Sequence, residues 1–258
     1  MNTGLPHPLK YSIHTRLREF HLKRLLPSSM NGRLLDVGCG LGYLIEALGN
    51  HFVCVGIDYD IKALRVNKRR GQKNMIQANL SEPPFKEKSF DVIICSEVLE
   101  HLPDGIDHKA LLEMARLLKP GGRILVTVPA LEGVRSASVL RNLGHGNRRG
   151  GEYHYRSGYS LQDMEGIVGL IPGLSIIKKR FAMFFASELF MDILKWTYFK
   201  KHKLKQHSDM ISLKDSFLFR IYRLLFPLIY FIFICEDLLL ASFLKGHILI
   251  MALERKEG

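Results

Sequence analysis

Residues Leu34–Gly42 read LLDVGCGLG, an apolar run, then an acid, then glycines at three alternate positions. Such a run reads as a buried strand that turns at its carboxyl end into a helix starting near Leu41 and ending about Gly49. Lacking Cβ atoms, Gly38, Gly40 and Gly42 allow positive φ and let the main chain lie against a ligand. The helix that follows would aim its N-terminal N–H groups and positive dipole end at that ligand. The spacing is G-x-G-x-G, not the G-x-G-x-x-G of dinucleotide folds. A second apolar run, Phe52–Asp58, ends in an acid about 20 residues after Gly38, where a carboxylate suits a ribose diol. The pair of runs predicts a site for a nucleoside-bearing cofactor.

The rest of the first half keeps that rhythm. Tyr11–Leu26 places Ile13, Leu17, Phe20 and Leu25 at helical spacing among basic residues, an amphipathic helix that packs across the domain or covers the cofactor. Asp60–Arg70 reads as a helix capped by Asp60 and stopped by Gly71. Met75–Ala78 and Phe90–Cys95 read as strands, the latter apolar on both faces as a central parallel strand is. His108–Lys119 reads as a helix ending at Pro120-Gly121-Gly122, and Arg123–Val128 as a fifth strand. Strands alternating with helices predict a parallel α/β sheet. Beyond Pro129, Glu132–Arg156 reads as a long loop rich in Gly, Arg and His. Leu161–Leu170 then reads as a helix, Leu174–Arg180 as a strand and His247–Leu253 as the last strand. The expected division is 1–30, an N-terminal helical segment; 31–180, the core; 181–246, an insertion; and 247–258, the last strand and tail.

The first half resembles a class I S-adenosylmethionine-dependent methyltransferase, similar to the ubiquinone-biosynthesis O-methyltransferase group. LLDVGCGLGYLIEAL, GIDYD, FDVIICSEVLEHLPD and LLKPGGRILVTVP carry the resemblance, in order, over Arg33–Pro129. It implies a Rossmann-like, mostly parallel sheet of seven strands, helices on both faces, and an antiparallel last strand. It also implies S-adenosylmethionine as cofactor, with Asp36, Gly38, Cys39, Gly40 and Gly42 along the methionine moiety and Asp58 on the ribose hydroxyls. Tyr59 would flank the adenine. Asn79 stands where many relatives have an acid near the adenine amino group, with Leu80 after it. Ser96 and Glu97 follow the fourth strand, where donor and acceptor meet.

On a helix, Glu97, Glu100 and His101 would share a face. Two carboxylates and an imidazole there suit a divalent cation such as Mg²⁺, which would acidify an acceptor hydroxyl; His145 or His154 would be a fourth ligand. Alternatively His101 is a general base, or the three residues shape the pocket floor. Arg141, Arg148, Arg149 and Arg156 suit capture of a phosphate or carboxylate, and Tyr153, His154, Tyr155 and Tyr159 lie beside them; a solvated loop and core packing are the competing readings.

Phe181–Gly246 departs from a minimal enzyme of this kind. It carries large apolar and aromatic runs around the basic stretch Lys195–Lys205. Its uncharged run Leu224–Cys235 falls short of the ~20 residues a bilayer span needs, and Pro227 would bend or begin a helix. Apolar surface beside a polybasic segment suits a monotopic anchor on an anionic leaflet; a helical cap on the sheet or a dimer face are the alternatives. The net charge of +12 fits an anionic membrane, nucleic acid or a phosphorylated substrate. Cys39, Cys54, Cys95 and Cys235 have no C-x-x-C spacing, which argues for a reducing compartment. The first 28 residues hold no apolar core of the signal-peptide kind. The expectation is a methyltransferase at the cytoplasmic face of a membrane, acting on a lipid or lipid-linked acceptor, most simply at oxygen. RNA methylation and a non-catalytic cofactor-binding scaffold are the competing functions.

Overall fold

Strands that are apolar on both faces need cover on both, and the chain supplies it. The structure, a computed structural model, describes residues 8–27, 31–133, 148–149, 152–153, 155–190, 193 and 217–256. Strands β1 (Arg33–Val37), β2 (Val53–Asp58), β3 (Met75–Gln77), β4 (Phe90–Ser96) and β5 (Leu118–Pro129) run parallel. Two residue pairs, Arg148–Arg149 (β6) and Glu152–Tyr153 (β7), form a small hairpin inside the stretch expected to be a loop throughout. β8 (Leu174–Ala182) and β9 (Ile248–Arg255) complete the main sheet, whose order is β3-β2-β1-β4-β5-β9-β8, with β9 antiparallel to both neighbours. This is the Rossmann-like, seven-stranded, mostly parallel sheet expected.

Neighbouring residues of one strand feed opposite cores. Leu35, Ile93 and Cys95 join one cluster with Leu111 and Met114 of α4 (Ile106–Leu117) and Met164 of α5 (Leu161–Gly169). Leu34, Val92 and Ile94 join the other. There they meet Ile13 and Leu17 of α1 (Ile13–Lys23), Ile45 of α2 (Tyr43–Leu48) and Leu64 of α3 (Ile61–Arg69). They also meet Phe226 and Phe233 of α6 (Phe217–Leu240). Each such aliphatic side chain contributes about 1.5–3 kcal/mol through burial, so the two-faced run is both the signal and the stabilisation.

Two expectations change. β5 begins at Leu118, not Arg123: it carries Pro120-Gly121-Gly122 within it, with an irregularity opposite Phe90/Val92. Gly121 takes φ 72°, and a Cβ at Gly122 would lie 2.9 Å from the Asp91 carbonyl oxygen, so glycines let the early strand approach β4. Pro227 does not begin a helix, because α6 runs through it. No helix among the described residues is long and apolar enough to cross a membrane.

The expected cap and the expected exposed apolar surface coincide in one helix. The inner face of α6 buries Phe226, Phe233 and Asp237, while Phe217, Leu224, Leu228, Phe231 and Leu239 face outward at 59–80% exposure. The chain leaves α6 for β9 through Gly246, where a Cβ would sit 2.1 Å from the Ala182 carbonyl oxygen. Only glycine fits that turn.

Candidate functional site

Strand order reverses between β1 and β4, and open parallel sheets bind ligands at the carboxyl ends beside such a switch point. Here the glycine loop leaves β1. The Gly38 and Cys39 N–H groups donate to the Ile57 carbonyl at 2.8 and 3.0 Å, tying the loop to β2. Gly40 N–H donates to Asp58 Oδ2 at 2.7 Å, and Asp60 N–H to Asp58 Oδ1 at 2.8 Å. Asn67 Nδ2 of α3 donates to the Gly40 carbonyl at 2.7 Å.

Gly38, Gly40 and Gly42 take φ of 70°, 48° and 71°. A Cβ at Gly38 would lie 2.4 Å from Val98 Cγ2, and one at Gly42 2.2 Å from Met75 Cε. Packing against Val98 excludes a Cβ at Gly38, while at Gly42 the positive φ favours glycine and the mobile end of Met75 could yield. A Cβ at Gly40 would meet nothing within 4 Å. Gly40 therefore faces open space, as a residue does where a ligand lies against bare main chain.

Asp36 is buried at the end of β1, and burial, then the Asp58 carboxylate, push its carboxyl up to about 8. A cation placed there would reverse the effect. Tyr59 follows β2 at 77% exposure, a bare aromatic face. The side chains of Cys39 and Leu80 point into the two cores, so neither can offer more than main chain to a ligand. Burial also raises the Cys39 thiol, keeping it protonated. Asn79 Oδ1 accepts from both the N–H and the Oγ of Ser81, at 3.0 and 2.9 Å.

Across the switch point, Ser96 Oγ lies 3.0 Å from Thr127 Oγ1, and Thr127 Oγ1 donates to Glu97 Oε1 at 3.1 Å. Glu97 has φ 57°, the left-handed region that a non-glycine residue enters only when its surroundings impose it. Arg18 of α1 reaches Glu97 Oε2 at 3.6 Å. Sequence reasoning passed over Thr127 and Arg18. The signal for Thr127 was a lone hydroxyl in RILVTVP, fully buried where its neighbours are aliphatic.

The helical premise of the metal reading is corrected. Glu97 lies outside any helix, and Leu99–His101 form one 3-10 turn, so the three side chains do not share a helical face. Glu100 is buried, and its carbonyl accepts from the Tyr155 and Arg156 N–H groups at 3.0 and 3.2 Å. No group of three His, Cys, Asp or Glu side chains able to hold a metal ion occurs among the described residues. His101 is half-buried, at the end of the 3-10 turn that follows β4. Arg156 is committed to Asp104 at 2.9 Å, and Tyr159 is core, its hydroxyl donating to the Leu99 carbonyl and to Asp107 Oδ2, each at 3.0 Å. Tyr155 is exposed. Arg148, Arg149 and Tyr153 lie on the β6–β7 hairpin; Arg141, His145 and His154 lie outside the described residues.

A family described as "Methyltransferase domain" matches residues 35–126, which hold the glycine loop, Asp58, Glu97 and most of β5. Over those residues the chain is similar to class I S-adenosylmethionine-dependent methyltransferases. Over 97 residues, 35% of this chain and 41% of the relative, it is 35% identical to a ubiquinone biosynthesis O-methyltransferase of Coxiella burnetii. Over 118 residues, 45% of this chain and 25% of the relative, it is 34% identical to a "Probable tRNA methyltransferase 9B" of Homo sapiens. The chain thus spans less than half the length of these curated relatives.

Two solved S-adenosylmethionine-dependent methyltransferases share the fold. One, from Archaeoglobus fulgidus, is 16% identical with a TM-score of 0.58, covering 93% of this chain and 94% of that one. The other, from Mesorhizobium loti, is 14% identical with a TM-score of 0.57, covering 95% and 100%. The described residues fit the cofactor. Asp58 is preset by two N–H donors and keeps further lone pairs for a diol, Gly40 leaves room, and Asp36 favours the cationic sulfonium end.

Proposed function

We propose that the protein transfers a methyl group from S-adenosylmethionine to a hydroxyl of a lipid or lipid-linked acceptor, working peripherally at the cytoplasmic face of a membrane. One observation carries the reading: α1, whose Arg18 reaches Glu97, is packed against a helix, α6, whose opposite face is apolar and exposed. When bound, the cofactor supplies an electrophilic methyl group on a sulfonium. The residues' share of the reaction is alignment, which can supply several kcal/mol, and a place for the acceptor's proton. Glu97 suits that second task. Its carboxylate is oriented by the Thr127 hydroxyl and neutralised in part by Arg18, so a hydroxyl approaching from the open edge meets an aimed acceptor. His101, in the 3-10 turn that follows, is the second group able to take a proton.

RNA methylation is the second reading, favoured by the +12 charge and by the human relative's printed name. Methyl-labelled S-adenosylmethionine, offered with total lipid in vesicles and separately with total RNA, separates the two. Label extracted into the organic phase is the expected result; label in RNA alone overturns the lipid reading. With Glu97→Gln, about 10²–10⁴-fold of the turnover should go, the usual range for a positioned acid or base, with cofactor affinity kept.

A further inference from the structure

α1 is clamped from both sides. Toward α6, His21 Nε2 meets Asp237 Oδ2 at 2.7 Å, and neither side chain has any exposed surface. The other oxygen, Asp237 Oδ1, accepts from the Met183 N–H at 2.9 Å. Tyr230 Oη donates to the Arg16 carbonyl at 3.2 Å, with the Arg16 guanidinium 5.0 Å over the Tyr230 ring. Just before α1, the Tyr11 carbonyl accepts from Tyr222 Oη at 2.6 Å, and its ring meets Phe226 edge-on.

Toward the cofactor, Glu19 Oε2 accepts from Tyr43 Oη at 2.5 Å, and Arg16 Nη1 donates to the same hydroxyl at 3.1 Å. Tyr43 is the first residue of α2 and follows Gly42, the last glycine of the loop. Arg18 reaches Glu97 on the acceptor side. One helix of 11 residues therefore touches the start of α2 beside the glycine loop, Glu97 and α6. A cleft lined by Lys10, Arg16, Glu19, Tyr43, Glu46 and Ala47 lies between α1 and α2, so the polar grip on Tyr43 is the joint there.

The outward face of α6 names its occupant. Phe217, Ile221, Leu224, Leu228 and Phe231, flanked by Leu225 and Ile232, are all exposed. The stripe is wider than the seam of a two-stranded coiled coil. Among the described residues, both acidic groups of α6 are held within the chain, while its basic groups are exposed, Arg223 with its guanidinium 5.1 Å over the Tyr11 ring. Glu236 accepts from the Ala186 and Ser187 N–H groups and Asp237 is held by His21, which leaves Arg220 and Arg223 beside the stripe and the Lys195–Lys205 stretch just before it in sequence. A second copy would set like charges against like. An anionic bilayer matches both the apolar width and the sign.

We propose that α6 seats on an anionic bilayer through this face and that α1 carries the docking to the glycine loop through Glu19 and Tyr43, so that the cofactor binds more tightly on the membrane than in solution. The proposal rests on the membrane reading above and adds regulation to it. Docking orders α6, α6 orders α1 through its buried pair, and α1 fixes the entry of α2 beside the cofactor. Coupling of this kind is reciprocal: the cofactor must strengthen vesicle binding by the same factor.

The test uses the full chain, S-adenosylhomocysteine as the calorimetric ligand, and vesicles of phosphatidylcholine with or without phosphatidylserine. Wild type should sediment with the phosphatidylserine vesicles and bind the ligand at least about fivefold more tightly there, the low end of ordinary coupling. The exposed double substitution Leu224→Asp with Phe231→Asp should lose both sedimentation and enhancement, with solution affinity kept. Tyr43→Phe should still sediment but lose the enhancement. Sedimentation with unchanged affinity in wild type overturns the coupling and spares the membrane reading. Failure to sediment with either vesicle overturns both. Enhancement that survives in Tyr43→Phe overturns the route through α1. Should any variant prove poorly folded, hydrogen exchange of α1 in wild type decides: protection must rise on vesicles.

Discussion

On the β1–β2 side of the site the cradle is main chain, fixed by hydrogen bonds from Gly38, Cys39 and Gly40 within 25 residues of sequence. On the α1–α6 side the same site is bounded by side chains that come from opposite ends of the chain, as the 216-residue separation of His21 and Asp237 shows. The first side depends on residues without side chains, since Gly38 leaves no room for a Cβ and Gly42 holds a left-handed φ. The second depends on charges and hydroxyls meeting without water. A main-chain cradle tolerates variation in side chains but not in backbone; a side-chain clamp is the reverse.

The sharpest way to break that contrast is to halve the buried pair. Asp237→Ala leaves His21 and the Met183 N–H without their acceptor, and breaking one partner of a buried pair costs about 3–5 kcal/mol. Denaturant midpoints should show it, and the double substitution His21→Leu with Asp237→Leu should recover much of the loss if the pair serves position more than stability.

Next in size is Asp58→Ala, which strips two N–H donors of a charged acceptor, each worth about 1.5–3 kcal/mol. Cofactor affinity measured calorimetrically should fall by on the order of 100-fold or more, with α6 undisturbed in hydrogen exchange. Gly40→Ala is gentler on the fold, about 1–2 kcal/mol for a left-handed alanine. Its Cβ enters the space left for the ligand, so affinity should fall more than stability. A Gly40 variant that keeps its affinity would show the cradle to be elsewhere.

Asp36 gives the pH arm. Its carboxyl is near 8 when folded against 3.8 ordinarily, so the folded state holds the extra proton between those values. The contribution of Asp36 to the stability of the cofactor-free protein should therefore be greatest below about pH 4, fall as pH rises towards 8, and level off above it, opposite in sign to that of the lowered carboxyls of Glu19, Asp91 and Asp163. Asp36→Asn should remove that slope in thermal melts and weaken binding of the cationic cofactor. The smallest effect on stability belongs to Leu224→Asp with Phe231→Asp, each within about 0.5 kcal/mol for an exposed site.

The same contrast explains what the sequence could disclose. Strands β1, β2 and β4, their glycine loop and Asp58 were legible because each is specified by neighbours in sequence: apolar runs, alternate glycines, an acid at a fixed offset. The start of β5 was misread because Pro120-Gly121-Gly122 ordinarily punctuates a helix end, and here pairing with β4 overrides it. Glu97, Glu100 and His101 were misjoined for a related reason. Their spacing assumed a helix, while Glu97 sits in a left-handed turn imposed by Thr127 across the sheet. Glu19, Arg18, His21 and Asp237 carried only a faint signal, polar residues placed on apolar helix faces, since no periodicity encodes a partner 216 residues away.

The tight passage at Gly246 has a mechanical consequence. The Glu236 and Asp237 hydrogen bonds and the glycine that backs onto Ala182 fasten the carboxyl end of α6, while towards its start Tyr222 Oη donates to the Tyr11 carbonyl and aromatic contacts to Tyr11 join it. Local opening follows the weaker contacts. The helix is anchored more deeply beside β9, through the fully buried Asp237, than at the end that carries Arg220 and Arg223, and amide exchange along it should slow from Phe217 towards Asp237.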